Sequence, residues 1–407
     1  MTNARSMPLL KGAEPGEPPR VRFRFLYYIT HVANIGSILE QGILSHDQVV
    51  RRGLEFKRVY NSQIVSLRKG KSTPARKSLW DYTNLYLQPR NPMLYLVVRN
   101  FGVESIAVLA GLRGPAYDTP GAFITDGNAA SNETDFFPVS KRRLAFDRLR
   151  AVDGLEYWKE EDGTKRRMMA EVLVPDRYAP EHLNTIYVAD ESVKSSLESD
   201  LSNASHPPIV AAPYVFFRPD IEVQLTRYLS LVRGDMFFSG MHTLTVSVNT
   251  MGVMGRGLAS RAKYQFPDVY VRYQDLCRSK ALRMGQPVLY KREAALDLQL
   301  ADDPGQLSDP NTQTWFLLFP TKDDWRQAAK KEGIEEGLSW LEENYRREGV
   351  RSLSIPALGC GLGWLDWAVM GPILCRHLSK LEIPVQLYLP AEREVPPEQL
   401  TKSFLLP

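Results

Sequence analysis

Two glycine-rich turns, each directly after a buried apolar strand, constrain the second half of the chain more than any other feature. The first turn, residues 249–257 (NTMGVMGRG), follows the apolar run at 244–248, and the second, residues 359–363 (GCGLG), follows the run at 352–358. Glycine lets the backbone approach a ligand closely, and a helix that begins after such a turn offers free N–H groups to phosphate. Two such turns at the carboxyl ends of strands predict a sheet that binds a diphosphate at one edge.

The two halves of the chain follow different patterns. In the second half, strands alternate with helical patterns, which predicts an α/β fold. The first half is predicted to be α+β, because it has more strand-like pieces, including 93–98, and longer irregular stretches such as the polar segment 45–90. We therefore expect a flexible leader at 1–20, a first domain at 21–218 and a second domain at 219–407.

Composition narrows the class of protein. The chain has 407 residues, of which 24% are charged and 43% are apolar, as in ordinary globular proteins. No apolar run approaches the roughly 18 residues that a membrane-spanning helix needs, and the first twenty residues lack the core of a signal peptide. Its three cysteines have no paired spacing, which argues against a disulfide framework or a bound metal. We expect a cytoplasmic protein with no membrane contact.

Basic residues are concentrated in one part of the first half. Residues 51–150 carry nine more basic than acidic side chains, interleaved with aromatic residues such as Trp80 and Tyr82. Basic side chains can neutralise phosphates and aromatic rings can stack on unpaired bases, so this segment favours single-stranded nucleic acid as a partner. A solvated loop in front of an ordinary aromatic core is the alternative.

The second half resembles the macrodomains of DarG antitoxins, which remove ADP-ribose from DNA bases. The resemblance is carried by GDMFF at 234–238, the two glycine turns, FPTKDDWR at 319–326 and IPALGCGLGWLDW at 355–367. It implies a three-layer α/β/α macrodomain with a mixed central sheet and a catalytic lysine at Lys322. The ADP-ribose-binding residues that it implies are Asp235 for adenine, Asn249, Gly252, Val253, Met254, Gly255 and Gly257 for the distal ribose, and Gly359, Cys360, Gly361, Leu362 and Gly363 for the diphosphate.

Some of these residues also have simpler interpretations. Lys322 can attack the anomeric carbon or polarise the departing base once its ammonium loses a proton, or it can be a surface lysine. Asp366 can cap a helix or belong to the site. Cys360 is expected to be a small buried residue rather than a nucleophile.

The first half resembles the DarT toxins, which transfer ADP-ribose from NAD to thymine bases in single-stranded DNA. The similarity covers most of 23–217. It implies that Glu171 is the catalytic glutamate, which would stabilise a positively charged ribosyl transition state, and that Arg68 is the catalytic arginine. The NAD-binding residues that it implies are Tyr28, Thr30, His31, Tyr86 and Asn128, with Tyr28 and Asn128 standing where relatives have histidine.

Three alternatives remain open for individual residues of the first half. His31 can be a core histidine that bonds to the backbone, and Tyr86 can be an ordinary core aromatic. Lys165, Arg166 and Arg167 either grip the phosphates of DNA or form a solvated turn.

Together the two resemblances predict a toxin and its antidote in one chain. The transferase would use NAD as co-substrate and no metal, and the second domain would hydrolyse its product. Expected partners are single-stranded DNA, NAD and ADP-ribose, with possible contact between the two domains. Alternatives are an RNA 2′-phosphotransferase with a macrodomain that processes ADP-ribose phosphate, and a non-catalytic sensor of NAD and ADP-ribose.

Overall fold

The computed structural model describes residues 23–60, 67–391 and 393–407, so the leader expected at 1–20 lies outside the described residues. The strands form one large sheet in each half of the chain and a small two-stranded ribbon. The strands are β1 (Leu26–His31), β2 (Ile43–Leu44), β3 (Tyr82–Tyr86), β4 (Ile106–Gly111), β5 (Phe123–Thr125), β6 (Phe136–Pro138), β7 (Glu171–Pro175), β8 (Arg177–Tyr178), β9 (Leu183–Val188), β10 (Ile209–Ala211), β11 (Ile221–Gln224), β12 (Leu229–Arg233), β13 (Thr243–Asn249), β14 (Val288–Tyr290), β15 (Trp315–Lys322), β16 (Leu353–Pro356) and β17 (Val385–Tyr388).

Helices of very different length connect these strands. The α-helices are α1 (Ile35–Gln41), α2 (His46–Arg51), α3 (Pro92–Phe101), α4 (Arg113–Tyr117), α5 (Arg142–Leu149), α6 (Thr164–Met168), α7 (Glu191–Asp200), α8 (Gly257–Gln265), α9 (Pro267–Arg278), α10 (Leu296–Leu300), α11 (Lys331–Glu348), α12 (Trp367–Leu378) and α13 (Lys402–Leu405).

The first sheet is split along one seam. Its order is β10-β9-β4-β1-β3-β7-β5-β6, and all neighbours are antiparallel except β9 and β10. Strands β3 and β7 pair along five positions, whereas β1 and β3 pair only at Tyr27 and Tyr86. The two strands therefore separate beyond that pair, which opens a cleft in a sheet that is otherwise continuous. This half is α+β, as predicted.

The second sheet is mixed and has helices on both faces. Its order is β11-β12-β17-β16-β13-β15-β14, with parallel strands in the middle and antiparallel strands at the edges. On β15, Phe316 and Leu318 join the apolar cluster that contains α8 and α9, while Leu317 and Phe319 join the cluster of α11 and α12. Successive side chains of a strand point to opposite faces. The predicted three-layer α/β/α arrangement is therefore confirmed.

The predicted strand at 93–98 is wrong, because these residues form helix α3. The side chain of Asn91 accepts a hydrogen bond from the Leu94 backbone at 2.9 Å, and Pro92 occupies the first helical turn. An N-cap asparagine followed by proline is a strong start signal for a helix. The polar stretch 45–90 is not one long loop either, since it contains α2 and the central strand β3.

The two halves share a continuous apolar core. The indole N–H of Trp158 donates to the carbonyl oxygen of Leu300 at 3.0 Å, and the rings of Phe217 and Phe238 lie 4.7 Å apart. The buried cluster that includes Leu26 of β1 continues without a break into the second sheet. The possible contact between the two domains is therefore present, as a packed apolar interface.

Within residues 23–60, 67–391 and 393–407, no helix is long and apolar enough to cross a membrane. In the same part of the chain, no group of three or more His, Cys, Asp or Glu side chains is arranged to hold a metal ion. The three cysteines are unpaired, and Cys360 and Cys375 are buried.

Candidate functional sites

Glu171 lies at the first position of β7, on the edge of the cleft in the first sheet. It is fully buried and faces Tyr86 on the neighbouring strand β3. Its backbone N–H donates to the Thr125 hydroxyl at 2.9 Å, and that hydroxyl lies 3.2 Å from the Glu171 carbonyl oxygen. The sheet register and this side-chain bridge from β5 fix the carboxylate at the opening between β1 and β3.

The carboxylate of Glu171 is held by a bidentate ion pair. Arg68 donates to its two oxygens at 2.9 and 3.2 Å, and the backbone N–H of Ala129 donates to Oε1 at 3.0 Å. Burial disfavours the charged guanidinium, but the adjoining Glu171 carboxylate outweighs this effect and raises the pKa of Arg68. The guanidinium of Arg68 therefore stays charged in a site that is largely shielded from water.

Tyrosines line the walls around this ion pair. Burial, and then the Glu171 carboxylate, raise the pKa of Tyr86 well above its ordinary value. Burial also raises the pKa of Tyr28, and it raises that of Tyr60 to about 12. These hydroxyls are therefore neutral at physiological pH and can donate hydrogen bonds to a ligand. They make the cleft aromatic without adding charge.

Thr30 and His31 lie farther along the same cleft. Strand β1 continues four residues from Tyr27 to His31, which is about 13 Å at the usual rise of a strand. Nδ1 of His31 accepts from the Ala33 backbone at 3.1 Å, and the Thr30 hydroxyl accepts from the Asn34 side chain at 3.1 Å. Burial, and then Lys57, lower the pKa of His31, so the ring is neutral. Both side chains organise the turn that ends the strand.

Asn128 belongs to the loop that wraps around Glu171. Its side-chain oxygen accepts from the Ala130 backbone at 2.9 Å, and this turn aims the Ala129 N–H at the carboxylate. The ammonium of Lys71 donates to the carbonyl oxygens of Ala130 and Ser131 and ties the loop to the segment that carries Arg68. Asn128 thus acts on the site through the backbone around it.

Two of the three basic side chains at 165–167 already pair with carboxylates of the protein itself. Lys165 is buried and pairs with Glu160 at 3.0 Å, and Arg166 pairs with Asp126 at 3.1 Å. Arg167 is half-buried on the same short helix, α6. A DNA phosphate that approached Lys165 or Arg166 would have to displace these carboxylates.

Asp302, from the second half of the chain, lies near the cleft that contains Glu171 and Arg68. The backbone N–H of Asp302 donates to the carbonyl oxygen of Pro92 at 3.1 Å. Burial raises the pKa of Asp302 to about 6, Lys165 lowers it, and the nearby Asp303 and Glu171 carboxylates raise it further. The same carboxylate acts electrostatically on Arg68. The wall of the first cleft is therefore built from both halves of the chain.

The second site lies at the carboxyl ends of parallel strands β13 and β15. Asn249 and Lys322 are register partners on these strands, next to a register shift after Val248. The Asn249 side chain accepts from the Met251 backbone at 3.0 Å and donates to the carbonyl oxygen of Val253 at 2.6 Å. Asn249 therefore holds the first glycine turn closed beside the lysine.

Lys322 is the last residue of β15. Its ammonium donates to the carbonyl oxygens of Gln327 at 2.8 Å and Leu362 at 3.0 Å. Burial lowers the pKa of Lys322. Since Leu362 belongs to the second glycine turn, the lysine is joined directly to the second predicted phosphate-binding segment.

The backbone of both glycine turns requires glycine at particular positions. Gly252 has φ +83° and Gly359 has φ +80°. A Cβ on Gly359 would lie 2.7 Å from Leu365, and one on Gly363 would lie 2.5 Å from the Gly359 carbonyl oxygen. Gly257 begins helix α8 at φ +58°. The remaining predicted ligand-binding positions in these turns are Val253, Met254, Gly255, Cys360 and Gly361, of which Met254 and Cys360 are buried.

Three other residues of the second half have clear structural partners. Asp235 accepts from the Phe237 backbone at 3.1 Å and from Arg261 at 2.6 Å, and a cavity of about 180 Å³ adjoins it. Burial raises the pKa of Cys360 to about 12, which makes its thiol a poor nucleophile. The Asp366 carboxylate accepts from the Ala368 backbone at 3.1 Å, so it caps helix α12.

Sequence reasoning missed Thr125, Lys71 and Asp302. Thr125 lies three residues before Asn128 in the sequence, but only the pairing of β5 with β7 places it against Glu171. Lys71 follows Arg68 closely, which gives a weak signal. Asp302 carries no local signal, because its position depends on how the two halves pack.

Both halves of the chain are similar to known proteins. The family described as "ssDNA thymidine ADP-ribosyltransferase, DarT" matches residues 27–217. A "DNA ADP-ribosyl transferase-DNA ADP-ribosyl glycohydrolase fusion protein" of Thermosipho africanus is 53% identical over 386 residues, which are 95% of this chain and 99% of the relative. The structure of Thermosipho africanus DarTG in complex with ADP-ribose has a TM-score of 0.88 and 51% identity, and the match covers 94% of this chain and 100% of that one. A DNA ADP-ribosyl glycohydrolase of Thermus aquaticus is 34% identical over 165 residues, or 40% of this chain and 42% of the relative. Because the match to the fusion protein spans nearly all of both chains, this chain belongs to the family of DarT–DarG fusions.

Proposed function

We propose that this chain adds ADP-ribose to a thymine base in single-stranded DNA with residues 21–218 and removes it again with residues 219–407. NAD is the donor of the ADP-ribose, and the two activities constitute a toxin and its antidote in one chain. The observation that carries the proposal is the near full-length similarity to a transferase–glycohydrolase fusion. That similarity favours DNA modification over an RNA 2′-phosphotransferase and over a sensor without catalysis.

In the transfer step, Glu171 and Arg68 act on the ribose next to nicotinamide. The bond between the anomeric carbon and nicotinamide breaks, and a bond from that carbon to thymine forms while the base loses a proton. The Glu171 carboxylate faces the positive charge that develops on the ribose and stabilises it. Oε1 accepts from Arg68 and Ala129, whereas Oε2 accepts from Arg68 alone, so Oε2 keeps a lone pair for a ribose hydroxyl when NAD binds.

The rest of the cleft accommodates the remaining length of NAD. Neutral tyrosine hydroxyls at Tyr28 and Tyr86 can bond the nucleotide, and the end of β1 at Thr30 and His31 lies far enough away for the adenosine part. Asn128 supports the loop behind the reacting ribose. Arg167 is the member of the basic triplet best suited to DNA phosphate, since Lys165 and Arg166 already have carboxylate partners.

In the removal step, the glycine turns hold the diphosphate and Lys322 acts on the ribose bonded to the base. The turn at 359–363 offers backbone N–H groups to the phosphates. Burial favours the neutral amine of Lys322, so the amine can attack the anomeric carbon as the bond to thymine breaks and the base takes up a proton. Water then releases ADP-ribose and restores the lysine. The cavity beside Asp235 combines the rings of Phe238 and Tyr388 with polar side chains, which suits the adenine.

Three unpaired cysteines, and a reaction that consumes NAD and modifies DNA, favour the cytoplasm as the location.

The test is mass spectrometry of a short single-stranded oligonucleotide incubated with NAD and the full-length chain. The Lys322→Ala protein should accumulate an oligonucleotide that is heavier by one ADP-ribose on a thymine. The Glu171→Gln protein should form none, and it should strip the oligonucleotide modified by Lys322→Ala. Full-length proteins are used because the two halves share a core. An unmodified oligonucleotide with Lys322→Ala would overturn the proposal.

A further inference from the structure

Trp364 combines two properties that rarely occur together in an aromatic residue. Its backbone is left-handed, with φ +63°, and its side chain is 61% exposed. A left-handed conformation is costly for residues with a Cβ, and bulky residues adopt it only where the surroundings compensate. Phe217 has a similar φ of +60°, but its ring packs against Phe238 at the domain interface. The exposed ring of Trp364 has no comparable burial.

This tryptophan lies beside the group proposed to act in hydrolysis. The Lys322 ammonium is 5.6 Å from the centre of the Trp364 ring. It also donates to the carbonyl oxygen of Leu362, two residues before the tryptophan. The Trp364 backbone N–H donates to the Gly361 carbonyl oxygen at 3.1 Å, so the ring is presented at the end of the second glycine turn.

The position of Lys322 determines what must lie next to the indole. In the proposed reaction the lysine meets the anomeric carbon of the ribose, and the thymine is bonded to that same carbon. The base therefore lies next to the lysine, on the exposed side of the site, where Trp364 is located. Nucleobases stack on aromatic side chains, and a base in single-stranded DNA has a face available for this.

We propose that Trp364 is the base-binding residue of the hydrolase half, with its indole stacked on the thymine that carries ADP-ribose in single-stranded DNA. The inference rests on the proposed hydrolase function and adds recognition of the DNA itself. The glycine turns bind the ADP-ribose part through backbone groups, whereas Trp364 binds the base. Its left-handed backbone is the conformation that turns the ring outward toward the substrate.

The proposal separates two affinities that a purely structural role would change together. Removing the ring should weaken binding of the modified oligonucleotide but leave binding of free ADP-ribose intact, because ADP-ribose has no base at the anomeric carbon. Glycine is the best replacement, since it adopts φ +63° without strain and so preserves the turn. Lys280 is a matched control: it is also exposed and left-handed, with φ +55°, but it carries no ring.

The experiment uses the full-length Glu171→Gln protein, so that no new ADP-ribose is attached. The substrate is a single-stranded oligonucleotide modified on one thymine by the Lys322→Ala protein with NAD. Release of ADP-ribose is measured against oligonucleotide concentration for Trp364→Gly, Trp364→Phe and Lys280→Gly, and ADP-ribose binding is measured by calorimetry. Trp364→Gly should raise KM about tenfold with kcat little changed and ADP-ribose affinity unchanged. Trp364→Phe should restore most of the loss, and Lys280→Gly should behave like the parent.

The outcomes distinguish this inference from the function on which it rests. An unchanged KM for Trp364→Gly, or an equal loss of ADP-ribose affinity, would overturn base stacking while hydrolysis by the parent stands. Failure of the parent protein to release any ADP-ribose would instead overturn the proposed hydrolase function, and the inference with it.

Discussion

Asp302 of the second half and Pro92 of the first half are joined by a backbone hydrogen bond of 3.1 Å at the start of helix α3. This contact carries the Asp302 carboxylate into the wall of the transferase cleft. The charged groups that act on it there include Lys165, Asp303, Glu171 and Glu160, and it acts in turn on Arg68 and Tyr86. The transferase site of this chain is thus electrostatically coupled to the hydrolase half.

Stability should fall as Asp302 ionises. Burial raises its pKa from 3.8 to about 6, so the folded protein keeps the proton over a pH range in which the unfolded chain has lost it. The stability that this proton contributes is present below about pH 4 and is lost as the pH rises to about 6. At pH 7.5, Asp302→Asn should therefore be more stable than wild type by up to about 3 kcal/mol, and at pH 4 the two should match. Thermal unfolding at both pH values measures this, with Asp309→Asn as the exposed control. Equal gains at both pH values would contradict it.

Glu171 should contribute to stability as well as to the proposed transfer step. From sequence, a carboxylate at the start of a strand is expected to be dispensable for the fold. In the structure Glu171 is fully buried and neutralises Arg68, whose side chain is only 15% exposed. Glu171→Ala should abolish transfer and lower stability by about 2–4 kcal/mol, because it leaves a shielded guanidinium without its partner. Circular dichroism melting and oligonucleotide labelling measure the two effects.

The double variant Arg68→Met with Glu171→Gln separates those effects. It removes both charges together, so most of the stability should return while transfer remains absent. A Glu171→Ala protein that melts like wild type would show that solvent replaces the ion pair without cost.

The two halves should unfold together. Asp297 is buried in the interface, where it accepts from the Tyr95 hydroxyl at 2.5 Å and from Arg99 at 2.9 Å. Asp297→Ala leaves the Tyr95 hydroxyl without its acceptor and Arg99 with only the carbonyl oxygen of Asp309, and it should cost about 2–3 kcal/mol. In calorimetry, wild type should show one transition, and Asp297→Ala should melt earlier and in two steps. Two separate transitions in wild type would mean that the interface does not couple the domains.

The sequence predicts local features of this protein better than its long-range ones. The glycine turns, the strands before them and Lys322 could be located because strand, turn and helix signals are contiguous there. The apolar run of the helix at Pro92–Phe101 fits a buried strand equally well, and only the Asn91–Pro92 start signal favours a helix. The pairing of Arg166 with Asp126 and the entry of Asp302 into the first cleft depend on tertiary packing. A single sequence gives no signal for such contacts.

The protonation state of Lys322 should set the pH dependence of ADP-ribose release. Burial lowers the pKa of Lys322, and its ammonium donates to two backbone carbonyl oxygens, which keep the group in place beside Asn249. If the neutral amine attacks the anomeric carbon, kcat should rise with pH until the lysine is deprotonated and should then level off. Lys322→Arg preserves the positive charge and the contact with the carbonyl oxygens, but it cannot lose its proton near neutral pH. The Lys322→Arg protein should therefore bind ADP-ribose but release it from DNA at least about a hundredfold more slowly at every pH.

Lys322→Ala should bind ADP-ribose equally well and be inactive, and in cells it should be toxic unless Glu171→Gln is also present. The checks are single-turnover release from pH 6 to 10 and calorimetric titration with ADP-ribose. An active Lys322→Arg protein would show that the positive charge, acting on the departing base, is what the reaction requires.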